Sequence, residues 1–203
     1  MLERQSALAG APVLEGRDGA GGRRGLRLGE MRGWRLVQLA AFPATVAEVG
    51  RAARPLFGVD LPAQGGLAVM AQDRQLMKTG PETFWVVTHD AEDLTVSLRA
   101  AVRPALGAVT PLSNSRTRIY IEGPDAPKVL STGIPLDFQQ QSFRVNDFAL
   151  TGLHHTSILI HRSGEQRYEL YALRSFALWT WEWLTDAALQ FGYDIGEPAR
   201  DGG

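Results

Sequence analysis

The chain has 203 residues, no cysteine and a formal net charge of −1 at neutral pH. The length indicates one large domain or two fused small ones, with enough chain to bury a core. The absence of cysteine excludes disulfides, thiolate metal sites and a cysteine nucleophile. The near-zero charge gives no electrostatic basis for binding nucleic acid or an anionic membrane. No apolar run is long enough for a membrane-spanning helix or for the core of a signal peptide, so we expect a cytoplasmic protein. We expect neither nucleic acid nor a membrane among its partners.

Residues 1–33 differ from the rest of the chain because they contain eight of the 22 glycines and few large apolar side chains. This composition predicts a flexible N-terminal arm, whose end at 26–28 fits a short edge strand. Leu8, Val13 and Leu14 give the arm apolar side chains that it can bury. Two interpretations therefore stay open, a disordered tail and an arm that becomes ordered on a partner.

A first unit is expected to begin with a strand at 34–41 and to continue into a helix that ends near Arg54. The helix start carries the capping-box pattern Thr45-Val-Ala-Glu48, in which each side chain satisfies an unpaired backbone N–H. The spacing of apolar residues then predicts three strands and a helix capped by Asp90. The three strands are expected at 67–71, 75–79 and 83–88.

A second unit repeats this order about 83 residues later, where RIYIE at 118–122 echoes RLVQL at 35–39. It is predicted to contain a strand at 115–122 and a short helix that opens at Gly123-Pro124 and closes at Gly133. Three strands and a long final helix, ended by Gly192, complete the unit. These elements are expected at 147–153, 156–162, 167–173 and 174–191.

The chain is therefore predicted to hold two copies of a β-α-β-β-β-α unit, over about 34–106 and 107–192. Two copies are too few for a solenoid, which needs at least three repeats. We therefore predict a single pseudo-symmetric α+β domain over 34–203, with the sheets in one layer and the helices in the other.

No established catalytic motif stands out. The glycine-rich run at 19–25 lacks the dinucleotide spacing and follows no strand, and the P-loop, HExxH and GxSxG patterns do not occur. The four histidines lack the converging spacing of a metal site, so we interpret them as turn or surface residues. They are His89, His154, His155 and His161. We predict no catalytic, cofactor-binding or metal-ligating residue in this chain.

The final helix contains three of the five tryptophans and is apolar on two sides. Helical periodicity places Phe176, Thr180, Trp183, Leu184, Ala187 and Phe191 on one face, which we expect to pack inside the domain. The opposite face carries Leu178, Glu182, Thr185 and Leu189. We predict that this second face contacts another subunit, as do Leu8, Val13 and Leu14. The alternative is that these leucines are ordinary surface residues.

Several segments resemble known proteins. The stretch LSNSRTRIYIEGPDA at 112–126, with Val129 and Leu130, resembles the folate-binding fold of the glycine-cleavage T-protein. Four further segments resemble the gamma subunit family of heterotetrameric sarcosine oxidase, so that the likeness covers nearly the whole chain. They are SALAG at 6–10, LVQLAA at 36–41, IPLDF at 134–138 and YELYALRSFALWTWEWLTDAA at 168–188.

This resemblance implies a complex of four different subunits that oxidises sarcosine to glycine. The one-carbon unit passes to tetrahydrofolate, and oxygen is reduced to hydrogen peroxide. The resemblance places FAD, FMN, NAD, zinc and tetrahydrofolate in the alpha, beta and delta partner subunits, and no cofactor in the gamma subunit. One loop agrees with this division, because Pro111 and Asn114 stand where the wider folate-binding fold has an acidic residue and often a histidine.

Three hypotheses follow. The first is a non-catalytic structural subunit of a flavin-dependent heterotetrameric sarcosine oxidase. The second is a stand-alone folate-binding enzyme of the aminomethyltransferase class. The third is an accessory subunit of a different N-methyl amino-acid oxidase.

Overall fold

The computed structural model describes residues 5–11, 15–89 and 94–200. These residues form two compact units. The smaller unit runs from Gly33 to Asn114, and the larger unit combines the chain up to Arg32 with the chain from Ser115 onward. No helix within the described ranges is both long and apolar enough to cross a membrane.

The elements follow one another in the order predicted from the sequence, with one additional strand between the two predicted units and two more at the C-terminal end. The strands are β1 (Leu26–Arg32), β2 (Trp34–Ala41), β3 (Val69–Ala71), β4 (Arg74–Lys78), β5 (Thr83–His89), β6 (Gly107–Pro111), β7 (Arg116–Glu122), β8 (Phe148–Leu153), β9 (Thr156–Arg162), β10 (Arg167–Leu173), β11 (Tyr193–Ile195) and β12 (Ala199–Arg200). The helices are α1 (Val46–Phe57), α2 (Leu94–Ala101), α3 (Ala126–Leu130) and α4 (Ala177–Ala188).

The smaller unit is one sheet with two helices packed on it. Its strands lie in the order β3-β4-β5-β2-β6, and all neighbours are antiparallel. Alternate residues of β2, such as Val37 and Leu39, face the helices because successive side chains of a strand point to opposite faces. They join Phe57 of α1 and Leu98 of α2 in a buried apolar cluster.

The larger unit has a sheet in the order β11-β1-β7-β10-β9-β8, with β12 also paired to β1. Helices α3 and α4 lie on one face of this sheet. Ile119 and Leu170 of the sheet pack with Val129 of α3 and with Trp181 and Leu184 of α4 in a second apolar cluster. The core of the unit therefore lies between α3, α4 and the face of the sheet that these residues share.

The two predicted β-α-β-β-β-α repeats are confirmed as β2-α1-β3-β4-β5-α2 and β7-α3-β8-β9-β10-α4. Each repeat is preceded by one further strand, and these two strands are exchanged. β1 leads into β2 through Gly33 but pairs with β7, whereas β6 leads toward β7 but pairs with β2. Because of this exchange β1 belongs to the larger unit and β6 to the smaller one, and the boundaries of the units fall near residues 32 and 114.

The described part of the expected flexible arm is paired with the end of the chain. Arg17 and Tyr193 exchange two backbone hydrogen bonds of 2.8 Å, and the N–H of Gly25 bonds to the carbonyl of Phe191 at 3.4 Å. β1 is an inner strand between β11 and β7, not an edge strand. The glycine content predicted flexibility because glycine raises the entropy of the unfolded backbone. In the structure Gly19 instead allows two backbone segments to pack closely, since a Cβ on Gly19 would lie 2.3 Å from the backbone N of Gly192.

The start of α1 differs from the predicted capping box. Thr45 ends a 3₁₀ turn, Pro43–Thr45, so its hydroxyl faces back along the chain. That hydroxyl accepts the N–H of Phe42 at 3.1 Å and donates to the carbonyl of Leu106 at 2.5 Å. The helix continues past Pro55 to Phe57 and ends at Gly58, whose φ of 71° gives a left-handed cap. The predicted cap at Asp90 lies outside the described residues.

Candidate functional site

Helix α4 presents an exposed apolar surface, as the sequence predicted, but the helix is rotated from the expected orientation. Leu178 is 40% exposed and Leu189 is 45% exposed, and Phe176 and Trp179 are exposed beside them. Glu182 is also exposed. The placement of Phe176 inside the domain was wrong, because this residue belongs to a 3₁₀ turn, Arg174–Phe176, that precedes the helix.

The prediction that Thr185 faces outward is wrong, since the side chain is only 5% exposed. Its hydroxyl donates to the carbonyl of Trp181, one turn earlier, at 3.0 Å. A threonine whose hydroxyl is satisfied in this way can be buried at small cost. Trp181 is also buried within the domain. The outward surface of α4 is therefore Leu178, Trp179, Glu182 and Leu189, with Phe176 at its start.

Leu8 lies in the core of its own chain, so its assignment as a residue that contacts another subunit is corrected. It is 6% exposed and belongs to the apolar cluster of the larger unit. The turn that carries it is held by Ser6, which donates to the carboxylate of Glu30 at 2.7 Å and accepts the N–H of Leu8 at 2.9 Å. Val13 and Leu14, the two other candidates of the arm, lie outside the described residues.

An aromatic cluster stands next to the exposed surface of α4. The imidazole of His154 meets the indole of Trp179 edge-on, with ring centres 5.9 Å apart, and that of Trp183 at 6.1 Å. His154 occupies the turn between β8 and β9 and has a φ of 48°. A non-glycine residue in this left-handed region is uncommon, and here the turn brings the imidazole against both tryptophans.

A cavity of about 380 Å³ opens beside this cluster. Its lining residues are Ser131, Thr132, Gly133, Ile134, Pro135, Gly152 and His154. The hydroxyls of Ser131 and Thr132 already donate to the carbonyls of Lys128 and Val129, at 2.8 and 2.7 Å. The cavity is shallow and open to solvent. Ile134 lies at its base with its side chain buried in the core, and Pro135, Gly152 and His154 form its exposed rim.

Sequence analysis missed a cluster of buried charges on the face of the larger sheet opposite α3 and α4. Arg118 on β7 donates two hydrogen bonds, of 2.9 and 2.7 Å, to one carboxylate oxygen of Glu169 on β10. The imidazole of His161 on β9 lies 3.6 Å from the same oxygen. Burial by itself raises the pKa of the Glu169 carboxyl, but Arg118 and His161 outweigh it and hold that pKa well below its ordinary value.

This cluster corrects the interpretation of His161 as a turn or surface residue, since its side chain is buried. A sequence signal was available, because charged residues stand among the apolar residues of RIYIE and YELYA. His154 does occupy a turn, and His155 is exposed beside it. Within the described ranges, no three histidine or carboxylate side chains come together as a possible metal site.

The loop after β6, which matched the folate-binding pattern, uses its one inward hydroxyl for its own fold. Ser113 accepts the N–H of Leu36 at 2.9 Å and donates to the carbonyl of Leu36 at 3.3 Å. The N–H of Leu112 bonds to the same carbonyl at 2.7 Å. These bonds fasten the loop to the start of β2 and commit the Ser113 side chain to structure.

Comparison with known proteins gives concordant matches. The model of the sarcosine oxidase, gamma subunit family matches residues 38–190. A sarcosine oxidase subunit gamma from Corynebacterium sp. (strain U-96) is 31% identical over 191 residues, which is 94% of this chain and 92% of that protein. A subunit of the same name from Arthrobacter sp. is 31% identical over 156 residues, or 76% of each chain.

Solved structures that resemble the fold include the following two. One chain of the heterotetrameric sarcosine oxidase from Corynebacterium sp. U-96, solved in complex with pyrrole 2-carboxylate, superposes with a TM-score of 0.83 and 30% identity. The match covers 93% of this chain and 96% of that one. The glycine cleavage system aminomethyltransferase T from Bartonella henselae superposes with a TM-score of 0.62 at 15% identity, covering 87% of this chain and 48% of that one. The second likeness is one of fold alone.

Proposed function

The chain belongs to the sarcosine oxidase gamma subunit family, and on this premise we propose that it is a structural, non-catalytic subunit of a heterotetrameric, flavin-dependent sarcosine oxidase. The observation that carries the proposal is the near-complete match, at a TM-score of 0.83, to one chain of such a heterotetramer. The match extends over 96% of that chain, so nearly the whole of that chain has a counterpart here.

The proposed complex oxidises the N-methyl group of sarcosine. Sarcosine, oxygen and tetrahydrofolate give glycine, hydrogen peroxide and the methylene-carrying folate. We assign FAD, FMN, NAD, zinc and tetrahydrofolate to the partner subunits, alpha, beta and delta. This chain supplies a folded surface on which those partners assemble, and the complex acts in the cytoplasm.

The arrangement of charges in the larger unit supports a structural role. The carboxylate whose pKa is most strongly perturbed, that of Glu169, is paired with Arg118 and His161 inside the sheet. Perturbed groups often mark functional sites, but structural ion-pair networks perturb the pKa as well. Here the carboxylate is 2% exposed, so it stabilises the fold rather than meeting a substrate.

The exposed surface of α4 supports assembly with a partner. Leu178 and Trp179 present large apolar groups at the start of the helix, where Trp179 contacts the ring of His154. Leu189 is exposed about three turns later. Exposed apolar surface rimmed by polar residues such as Glu182 and Asp186 is typical of contacts with other proteins. We propose that Leu178, Glu182 and Leu189 contact a partner subunit.

The stand-alone folate enzyme is the weaker hypothesis. The relatives that match the chain along its length are named gamma subunits, and the T-protein likeness, at 15% identity, concerns the fold alone. The Ser113 hydroxyl is bonded to Leu36, and Pro111 and Asn114 replace the acidic and histidine groups of the folate pattern. An accessory role in another N-methyl amino-acid oxidase differs from the proposal only in the substrate of the partners.

Co-expression tests the proposed function. The tagged full-length chain is produced with the alpha, beta and delta subunits of a sarcosine oxidase, and the captured complex is assayed for sarcosine-dependent hydrogen peroxide formation. We expect a four-subunit complex whose flavin is released from subunits other than this chain. Flavin or saturable tetrahydrofolate binding by the isolated chain, without assembly, would favour the enzyme hypothesis instead.

A further inference from the structure

The outer edge of the larger sheet, at β8, is open. Within the described ranges β8 pairs with β9 alone and ends the sheet. An open edge presents unpaired N–H and C=O groups, which are a template for pairing with another strand. The opposite edge is different, because Arg17 bonds to Tyr193 of β11 there.

The hydrogen-bond pattern identifies which backbone groups point outward from β8. The N–H of Arg162 donates to the carbonyl of Asp147 at 2.9 Å, so Asp147 directs its carbonyl toward β9. In an antiparallel pair, residues that bond to the neighbour alternate with residues that do not. The bonded residues of β8 are therefore 149, 151 and 153. The N–H and C=O groups of Phe148, Leu150 and Gly152 face away from the sheet.

Natural proteins protect such edges with charged side chains, proline, bulges or covering segments. The sequence of β8, FALTGL, has no charge and no proline. Leu150, at the centre of the strand, is 53% exposed, and a Cβ added at Gly152 would meet no atom within 4 Å. Over Phe148–Leu153 the edge is thus apolar and accessible, without charge or proline. A bulge at its start, where Asn146 and Asp147 both bond to Arg162, limits pairing to these residues.

The far end of this edge leads into the cavity beside α4. Gly152 and His154 line that cavity together with Ile134 and Pro135, and His154 packs against Trp179 and Trp183. In strand addition, main-chain hydrogen bonds provide the affinity and pockets for alternate side chains provide the specificity. The edge of β8 would supply the main-chain hydrogen bonds, and the cavity would supply the pocket for a side chain.

From this arrangement we propose that β8 accepts an extended segment of a partner subunit as an added strand, with one apolar side chain of that segment in the cavity beside His154. This inference rests on the proposed function, because the occupant is a chain of the oxidase complex. The occupant is an uncharged, extended stretch, since it meets a strand without charge and the exposed ring of Pro135.

A second copy of this chain is the competing occupant, because its own Leu150, 53% exposed, offers an apolar side chain. A partner segment is the proposed occupant because the fold matches one chain of a heterotetrameric oxidase. Self-association of the lone chain distinguishes the two.

Substitution at Leu150 tests the proposal in the co-expressed complex. Leu150→Pro removes one outward N–H and leaves the bonds between β8 and β9 intact. Leu150→Lys keeps the backbone group and adds a charge to the edge. Leu150→Thr is the matched control, because it retains the N–H and favours a strand. The readouts are the yield of the tetramer from the tagged chain and amide hydrogen exchange over 147–154 in the free and assembled states.

We expect the proline and lysine variants to fold alone and to weaken assembly by about tenfold or more, while Leu150→Thr assembles like the parent. Amide hydrogen exchange at residues 148, 150 and 152 should slow on assembly.

Strand addition is refuted, and the proposed function stands, if the parent chain assembles but both variants assemble equally well and amide exchange over β8 is unchanged. Concentration-dependent dimers of the lone chain, abolished by Leu150→Lys, would show that the occupant is a second copy. Failure of the parent chain to assemble would refute the proposed function itself.

Discussion

Replacing one partner of the buried pair of Arg118 and Glu169 should destabilise the chain more than replacing one partner of an exposed ion pair. Replacing Glu169 by glutamine keeps the shape of the side chain and removes its charge. Arg118, which is 5% exposed, then loses the carboxylate oxygen that accepts two of its hydrogen bonds. Breaking a buried ion pair by removing one partner costs about 3–5 kcal/mol. We expect Glu169→Gln to lower the free energy of unfolding by an amount in this range.

Asp60→Asn is the control, because Asp60 belongs to a separate, exposed ion pair. Its carboxylate lies 3.6 Å from the guanidinium of Arg54, and the two side chains are 75% and 63% exposed. Exposed pairs contribute at most about 1 kcal/mol. Urea unfolding of the lone chain, followed by circular dichroism, measures both variants against the parent. Equal destabilisation by the two substitutions would refute the reasoning, because burial would then not set the contribution of the pair.

Three further outcomes are expected. Because the Glu169 pKa is lower in the folded chain than the ordinary carboxyl value of 4.5, its contribution is present above that pH and is lost as the pH falls through the acid range. Acid titration of the unfolding free energy should therefore be flatter for Glu169→Gln than for the parent. Replacing Leu178 and Leu189 with aspartate should leave the lone chain folded by circular dichroism and reduce its capture by co-expressed partners, because both side chains are exposed; undiminished capture would mean that these are ordinary surface residues. Gly192→Ala should destabilise the chain by more than about 1 kcal/mol in thermal unfolding, since φ is +68° and the new Cβ would lie 2.0 Å from the carbonyl oxygen of Arg23; Gly50→Ala, inside α1 with open space around it, should be neutral or stabilising.

The repeat and most strands were predictable because alternation and helical spacing are local signals. The strand predicted at 156–162 agrees with β9, Thr156–Arg162, and the one predicted at 167–173 agrees with β10, Arg167–Leu173. Each is bounded by turn residues and carries an unbroken apolar pattern on the face toward α3 and α4. The exchange of β1 and β6 was not predictable in this way, because a local pattern says that a segment is a strand but not which strand it joins.

The surface of α4 shows a second limit of local patterns. A periodicity of 100° per residue counted both Phe176 and Thr185 as if they belonged to one regular helix. The 3₁₀ turn at the start changes the phase for Phe176, and the hydroxyl bond to Trp181 lets Thr185 enter the core. The two leucines were placed correctly on the exposed side, because no such local interaction changes their environment.

The exchanged strands also tie the two ends of the chain together. Leu28 of β1 pairs with Ile121 of β7, and Leu26 pairs with Tyr193 of β11. The N-terminal segment thus completes its sheet only after nearly the whole chain is available. Contacts between residues so distant in sequence require loop closure before they contribute, which makes them late and slow to form.

The open edge at β8, in contrast, belongs to a hairpin whose strands β8 and β9 are joined by a two-residue turn. The surface proposed to receive the partner therefore depends on local contacts, whereas closure of the larger sheet depends on the ends of the chain.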